Sequence, residues 1–202
     1  MKTSGLEWAV SAAAIRGETE SGDLHVVEAF AHGVLMAAID GLGHGVAAAA
    51  AARSAARLIT TNPGENVIRL VEQCDHRLHK TRGVVMSLAS INTTEETVTW
   101  LGVGSVDGIL FRGDVTERPS PKFLHASRGV VGAHLPALRP SVLPIARGDT
   151  LIFVTDGIRG GFDEGLSISN SPQQIADGIL ARHALDTDDA LVLVARFEGL
   201  NR

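Results

Sequence analysis

The sequence predicts an α+β fold with antiparallel strands, and three observations support this fold class. Three apolar segments near the start of the 202-residue chain follow one another with no room for helices between them, which excludes parallel βαβ units. Two helical patterns then come in direct succession. Further strands follow with only short turns between them, so strands and helices are grouped along the chain.

The first strands precede the helices. β-prone segments at residues 7–16 and 24–30 are separated by a polar loop with two glycines, a pattern that predicts a hairpin whose second strand begins at Asp23. A tight turn then leads into an apolar run at residues 34–39. This run predicts a buried strand that ends at Asp40.

Two helices follow a glycine-rich turn. The segment at residues 46–60 lacks Gly and Pro, and a second helical pattern runs from about residue 65 to 79, so the two helices can cover one face of a sheet. Cys74 falls on the apolar side of the second pattern, which favours core packing over reactivity. Arg53 and Arg57 lie four positions apart on the first helix, where they form either a solvated face or an anion site.

The middle of the chain returns to strands. Segments at residues 83–91, 97–103 and 106–112 are joined by short turns, which predicts a β-meander. Prolines then become frequent and interrupt regular structure, so a long surface segment is expected at residues 113–140. Within it, a turn at residues 129–135 is expected to lie near the functional site.

The last elements repeat the pattern of an apolar strand that ends in Asp-Gly. Residues 150–155 predict this strand, and Asp156 follows it directly. A helix is predicted from about residue 171 to 183, with Pro172 in its first turn. A final strand is predicted at residues 190–197.

Composition narrows the class of protein. The chain has 23 acidic and 18 basic residues and a formal charge of −5, which argues against a nucleic-acid partner. No apolar run approaches the roughly 18 residues of a membrane helix and no signal-peptide core is present, so we expect a cytoplasmic protein without a membrane partner. The length and the 45% hydrophobic content predict one domain across residues 1–202.

Acidic residues recur at the ends of the predicted strands. Asp23 begins one strand, Asp40 and Asp156 end two others, and Asp188 and Asp189 precede the last. Carboxylates with few basic neighbours suit oxygen-liganded divalent cations such as Mg²⁺ or Mn²⁺, and an adjacent glycine lets a backbone carbonyl approach the ion. Because Asp-Gly is also common turn chemistry, the pattern leaves a metal site and a set of solvated turns both open.

An ordered set of short motifs across about residues 7–197 resembles that of metal-dependent PP2C-type protein phosphatases of the SpoIIE-like branch. The motifs are Glu20-Ser21-Gly22-Asp23, Asp40-Gly41-Leu42-Gly43-His44-Gly45, Gly102-Val103-Gly104-Ser105-Val106, Val131-Gly132-Ala133-His134-Leu135-Pro136, Gly148-Asp149-Thr150-Leu151, Thr155-Asp156-Gly157 and Asp188-Asp189. The compact size is most similar to that of the members that reset a stressosome.

The resemblance implies an αββα sandwich, in which two antiparallel sheets pack together with helices outside. It also implies two divalent cations, Mn²⁺ or Mg²⁺, at one edge of the sandwich, with Asp40 bridging both. The implied metal ligands are Asp23, Asp40, Gly41 through its carbonyl, Asp156 and Asp188, with Asp189 as the alternative to Asp188.

The implied activity is hydrolysis of phosphoserine or phosphothreonine in a protein, with a metal-bridged hydroxide as the nucleophile. Asp40 and Asp156 are then catalytic, and His44 is either a proton donor to the leaving oxygen or a turn histidine. The expected partners are phosphorylated STAS-domain proteins of a stressosome. Arg16 is not well placed to be the phosphate-binding arginine of larger members, and the sequence does not identify a third-metal acidic site. The metals alone are therefore expected to hold the phosphate.

Two other functions stay open. Residues 41–46 partly match a dinucleotide-binding fingerprint, although the third glycine is displaced and no acidic residue follows at the usual interval of about 20 residues. The second alternative is a protein that keeps the phosphatase fold and only binds its partners.

Overall fold

The computed structural model describes residues 1–113 and 121–199. Within them the strands are, in chain order, β1 (Lys2–Thr3), β2 (Leu6–Ala13), β3 (Asp23–Phe30), β4 (Gly33–Gly41), β5 (Val84–Asn92), β6 (Thr97–Val103), β7 (Asp107–Phe111), β8 (Lys122–Leu124), β9 (Ser141–Pro144), β10 (Thr150–Val154) and β11 (Ala190–Phe197). The helices are α1 (Val46–Thr61), α2 (Val67–Leu78) and α3 (Pro172–His183). The predicted grouping of strands and helices is confirmed.

The strands of the described residues form two antiparallel sheets. The first sheet has the order β1-β2-β11-β10-β7-β8, and the second has the order β3-β4-β5-β6-β9. Helices α1 and α2 pack on the outer face of the second sheet, and α3 packs on the first sheet through β2 and β11. The αββα sandwich implied by the sequence motifs is therefore confirmed.

Apolar side chains fill three layers of the sandwich. Between the sheets, Met36, Trp100 and Phe153 are almost completely buried. A second cluster joins α1 and α2 to the second sheet, and a third joins α3 to the first. Cys74 lies in the second cluster, where burial raises the pKa of its thiol to about 12. The predicted core packing of this cysteine is confirmed.

The predicted hairpin between β2 and β3 is wrong. Strand β2 pairs with β1 and β11 in the first sheet, whereas β3 pairs with β4 in the second. The polar loop between them crosses from one sheet to the other. Alternation of apolar and polar residues identifies a strand but not its partner, because either sheet of a sandwich satisfies the same pattern.

The predicted β-meander is correct only in its first half. Strands β5 and β6 form a hairpin, but β7 pairs with β10 and β8 in the first sheet. The chain changes sheets after Gly104, which has a φ of 93° and whose N–H donates to the carbonyl of Ser127 at 2.9 Å. This left-handed conformation turns the chain away from β6, so the Gly-Ser link is a crossover and not a hairpin turn.

The proline-rich segment lies at the sheet edges. Residues 114–120 are outside the described part of the chain, so the surface segment expected at residues 113–140 is described only at residue 113 and from residue 121 onward. The sequence pattern does not predict β8 and β9, which are edge strands, where a proline such as Pro144 leaves the ladder intact. The predicted turn at residues 129–135 is present, and its Val131 pairs with Val84 beside the end of β4.

Capping residues explain where the later helices begin. The Asn66 side chain accepts a hydrogen bond from the N–H of Ile68 at 2.9 Å, so α2 starts about two residues later than predicted. Ser171 and Gln174 form a capping box at the start of α3, next to Pro172. No helix of the described ranges has the length and apolarity that a membrane crossing requires.

The two arginines of α1 lie on its solvent side. Arg53 Nη1 is 2.7 Å from Glu20 Oε2, and both side chains are more than two-fifths exposed. Arg53 and Arg57 line an open groove of about 540 Å³ together with Arg77 of α2. The ion pair of Arg53 favours the solvated-face interpretation over the anion site.

Candidate metal centre

Carboxylates from both sheets meet at one edge of the sandwich. Asp23 and Asp40 lie opposite each other in the register of β3 and β4. Asp156 follows the end of β10, and Asp188 and Asp189 immediately precede β11, the neighbour of β10. The charges of the other four carboxylates all act on Asp40. The acidic residues singled out from the sequence therefore lie together in space.

A chain of hydrogen bonds ties Asp23 to the opposite sheet. Its Oδ2 accepts a hydrogen bond from Thr155 Oγ1 at 2.7 Å, and Thr155 Oγ1 in turn accepts one from the N–H of Leu191 at 2.9 Å. Asp23 is only 5% exposed. The carboxylate of β3 is thus fixed relative to β10 and β11 of the first sheet.

Burial and mutual repulsion make two of the carboxylates hard to ionise. Burial is the main cause that raises the pKa of Asp40 to about 8, and the negative charges of Asp23, Asp156, Asp188 and Asp189 add to it. Burial also raises the pKa of Asp23 to about 7, although the hydrogen bond from Thr155 opposes this rise. The protonated form of each carboxyl therefore persists to a much higher pH than in a free aspartate, unless a positive charge stabilises the ionised form.

The protein itself supplies no such charge in the part of the chain that the structure describes. No Lys, Arg or His nitrogen there lies within 4.0 Å of a carboxylate oxygen of Asp23, Asp40, Asp156, Asp188 or Asp189. Asp23 is buried and Asp40 is partly buried, so their carboxyls either stay protonated or need a counter-charge to ionise. Their oxygens, with a backbone carbonyl nearby, match the donors that Mg²⁺ and Mn²⁺ prefer.

The carboxylates form an open cluster. Over residues 1–113 and 121–199, no three Asp, Glu, His or Cys side chains lie close enough together to hold a metal ion as they stand. Like-charged groups repel one another, so an open arrangement is expected from the side chains alone.

Asp188 and Asp189 have different surroundings. Asp189 is 3% exposed, and its two carboxylate oxygens accept hydrogen bonds from the N–H groups of Ile15 at 2.8 Å and Gly22 at 2.7 Å. Asp188 is partly exposed and accepts one hydrogen bond, from the N–H of Asp189 at 2.9 Å. Asp189 thus anchors both ends of the loop between β2 and β3, and Asp188 keeps the freer carboxylate.

Gly41 ends β4 at a point where backbone packs directly on backbone. A Cβ atom at this position would overlap the carbonyl of Ala48 in α1. Its N–H donates to the carbonyl of Gly22 at 3.1 Å. Gly157 is crowded in the same way, because a Cβ there would overlap the carbonyl of Asp189. The absence of a side chain at Gly41 lets the end of β4 pack on α1, and its absence at Gly157 lets the residue after Asp156 pack on Asp189.

His44 lies on the surface and is oriented by Glu18. Its Nδ1 is 2.8 Å from Glu18 Oε1, and the His44 side chain is 62% exposed. Glu18 belongs to the loop between β2 and β3 and also lies against Gly45 at the start of α1. The sequence does not indicate Glu18, because its contact with His44 joins two turns that are distant along the chain.

Two residues near the start of β7 lie beside Asp156 and do not feature in the sequence predictions. Ser105 Oγ donates to Asp156 Oδ2 at 3.0 Å. Asp107 lies opposite Val154 in the register of β7 and β10, and burial together with the charge of Asp156 raises its pKa. Asp107 is an acidic residue at the start of a strand, as Asp23 is, so the same sequence pattern could have identified it as a candidate site residue.

The glycine-rich turn after β4 is not part of a βαβ unit. Strand β4 pairs antiparallel with both β3 and β5. A dinucleotide fingerprint works between a strand and a helix that leads to a parallel strand. The nucleotide-binding alternative therefore lacks the fold that it requires.

A known family matches most of the chain. The model of the family described as Stage II sporulation protein E (SpoIIE) matches residues 31–198. Comparison with curated protein sequences gave no match.

Solved structures share the fold at low sequence identity. A structure reported for the bacterial stressosome, a modular system that has been adapted to control secondary messenger signaling, is 23% identical with a TM-score of 0.85, over 95% of this chain and 99% of that chain. RsbX in complex with magnesium is 19% identical with a TM-score of 0.84, over 98% of each chain. The PP2C phosphatase domain of SpoIIE from Bacillus subtilis, with a fragment of its regulatory domain, is 21% identical with a TM-score of 0.78, over 98% of this chain and 63% of that chain. At these identities the likeness is one of fold.

Proposed function

The chain belongs to the SpoIIE family of PP2C-type phosphatase domains, and on this premise we propose that it is a metal-dependent phosphoserine/phosphothreonine protein phosphatase. The observation that carries the proposal is the cluster of carboxylates from both sheets, which has no cationic partner among the described residues. The proposal treats residues 1–202 as one phosphatase domain and keeps the cytoplasmic location expected from the sequence.

Two divalent cations, Mn²⁺ or Mg²⁺, are the proposed cofactors. Their proposed ligands are the carboxylates of Asp23, Asp40, Asp156 and Asp188 and the carbonyl of Gly41. Asp188 is chosen over Asp189 because both oxygens of Asp189 already accept hydrogen bonds from backbone N–H groups. The magnesium complex of RsbX, which shares the fold, supports the choice of a divalent cation. When bound, such cations activate water and neutralise charge on the phosphoryl oxygens.

The protein holds the reacting groups in place through hydrogen bonds. Thr155 fixes Asp23, and Ser105 donates to Asp156. In the proposed reaction His44 acts as the imidazolium: Nδ1–H donates a hydrogen bond to Glu18, and Nε2–H gives its proton to the leaving serine or threonine oxygen, which leaves the neutral imidazole. The buried, protonated thiol of Cys74 is a poor nucleophile, which agrees with direct hydrolysis.

The proposed substrate is a phosphorylated STAS-domain protein of a stressosome. Two findings support this choice: the family to which the chain belongs, and the fold that it shares with RsbX and with a structure reported for the bacterial stressosome. In this proposal, removal of the phosphate resets the response of the partner.

Phosphate release from a phosphorylated STAS-domain scaffold protein tests the proposed function. We expect release with Mn²⁺ or Mg²⁺ and its loss in EDTA, because the carboxylate cluster needs a counter-charge to act. Release that continues in EDTA would contradict a metal-dependent reaction. A protein that binds the phosphorylated scaffold without releasing phosphate under any metal condition would instead be an adaptor with a phosphatase fold.

Asp188 and Asp189 are expected to respond differently to the same substitution. Asp188→Asn should weaken Mn²⁺ binding at least about tenfold, as expected for a ligand, and leave stability in EDTA nearly unchanged. Asp189→Asn should instead lower the free energy of unfolding by about 1–3 kcal/mol, since an amide can accept only one of its two backbone hydrogen bonds. Calorimetric Mn²⁺ titration and urea unfolding in EDTA measure the two effects, and the reverse pattern would exchange the roles.

A further inference from the structure

Arg82 places a guanidinium against the turn that follows Asp40. A Cβ atom added to Gly43 would lie 2.5 Å from Arg82 Nη1, so the guanidinium occupies the space that a side chain of the turn would otherwise fill. Arg82 is exposed, and the next residue of the turn, His44, is exposed as well. The cation therefore lies at the solvent-facing rim, next to the strand end that carries Asp40.

The backbone on both sides of Arg82 is fixed. The carbonyl of Gly83 accepts a hydrogen bond from the N–H of Leu42 at 3.2 Å, which joins this segment to the turn after Asp40. Thr81 Oγ1 accepts from the N–H of Gly83 at 3.0 Å and donates to the carbonyl of Leu78 at 2.8 Å. The base of the Arg82 side chain is thus held at the rim.

Arg82 has no counter-ion in the described ranges. No carboxylate oxygen there lies within 4.0 Å of its guanidinium, and it donates no side-chain hydrogen bond. By contrast, Arg53 and Arg112 each contact a carboxylate at 2.7 Å or less. Although acidic residues cluster at the adjoining strand ends, Arg82 stays available to an anion from solution.

The charge of the proposed site shows why such a cation is useful. Four carboxylate ligands would neutralise two divalent cations, and the nearby carboxylate of Asp189 adds a negative charge, so the loaded site would have no net positive charge with which to attract a phosphoryl dianion. A guanidinium at the rim adds a positive charge, and its planar donor fork matches two oxygens of a phosphoryl group. The carboxylates alone would repel this group.

We infer that Arg82 binds the phosphoryl oxygens of the substrate and of the phosphate product. The inference rests on the proposed phosphatase function. It replaces the expectation from sequence that the metals alone hold the phosphate. It also places the phosphoryl group beside the turn that carries His44, the proposed donor to the leaving oxygen.

Titration of the Mg²⁺-loaded protein with inorganic phosphate tests this inference without turnover. Arg82→Ala should weaken phosphate binding at least about tenfold, the factor that corresponds to a charged hydrogen bond worth about 1.4 kcal/mol. The phosphate affinity of Arg82→Lys should fall between those of the wild type and Arg82→Ala, because lysine keeps the charge and lacks the planar donor fork. Arg69→Ala is the matched control, because Arg69 is an exposed arginine on α2 whose contact with Glu65 is long, at 4.0 Å, so the variant removes the same charge at another place on the surface. Mg²⁺ affinity without phosphate should not fall in any variant.

Equal phosphate affinity in Arg82→Ala and the wild type would overturn the inference, as would a loaded wild-type protein that binds no phosphate. Arg82→Gln, which keeps the length of the stem, serves if the alanine variant has altered circular dichroism. Loss of phosphate affinity in Arg82→Ala, together with a wild type that hydrolyses no phosphoprotein, would support the anion site and reject the proposed function. If the wild type hydrolyses phosphoprotein but Arg82→Ala leaves its KM and its inhibition by phosphate unchanged, the proposed function would stand and the anion site at Arg82 would be rejected.

Discussion

An Asp40→Asn variant is expected to lose at least about a thousandfold in metal-dependent phosphate release. Asp40 is one of the carboxylates that would hold the cations, and the amide removes its negative charge while keeping its shape. Stabilisation by a bound metal is worth several kcal/mol and each 1.36 kcal/mol is a factor of ten in rate, so a loss of about 4 kcal/mol gives this factor. Steady-state release from p-nitrophenyl phosphate and from a phosphoprotein, both with Mn²⁺, measures the effect.

Asp163→Asn is the matched control for this prediction. Asp163 lies in the loop after β10 and lines a pocket beside Phe111, at the opposite end of β7 from Asp107. The same loss of one charge there should leave phosphate release at the level of the wild type. Activity in Asp40→Asn within a few fold of the control would contradict the assignment of Asp40 as a metal ligand.

The metal-free protein is expected to lose stability as the pH rises from about 4 to about 8. The pKa of Asp23 rises from 3.8 to about 7 and that of Asp40 from 3.8 to about 8 on folding, chiefly through burial, so the folded chain binds these protons more tightly than the unfolded chain. Their stabilising contribution is complete below about pH 4 and is lost as the pH passes through 7 and 8. After a reduction for solvent screening, the expected loss in the free energy of unfolding is about 3 kcal/mol, which corresponds to a fall of roughly 6–12 °C in Tm.

Thermal unfolding in EDTA at several pH values tests this dependence. Saturating Mg²⁺ should flatten the curve, because bound cations favour the ionised carboxylates and bind only the folded chain. Asp40→Asn should also reduce the slope in EDTA, since the amide does not ionise. A wild-type Tm in EDTA that rises between about pH 4 and about pH 8 would show that the carboxylates are stabilised by something other than a metal.

The type and order of the elements could be predicted from the sequence, but several pairings could not. The apolar run of β4 and the Gly- and Pro-free pattern of α1 are local signals, and both elements are present as predicted. The partner of β2 is β11, at the far end of the chain, and no local pattern encodes such a contact. Strands β8 and β9 have only three and four residues, which is too short to give a periodic signal.

The candidate site divides in the same way. Asp23, Asp40 and Asp156 flank strands with clear signals, so their meeting at one edge could be anticipated, while their role as ligands stays a prediction. Glu18 and Arg82 could not be found in this way, because each acts through a loop whose position depends on tertiary contacts. Sequence order also could not separate Asp188 from Asp189, which differ only in what their oxygens accept.

The glycines beside the carboxylates bear on how such chains diverge. Gly41 packs on the carbonyl of Ala48, and Gly157 packs on the carbonyl of Asp189. Backbone atoms are common to all residue types, so these two contacts, one between β4 and α1 and one between Gly157 and Asp189, are independent of which side chains fill the core. Hydrophobic positions can therefore drift through many substitutions while the acidic edge keeps its shape. Evolutionary constraint on this fold should fall on a few glycines and aspartates.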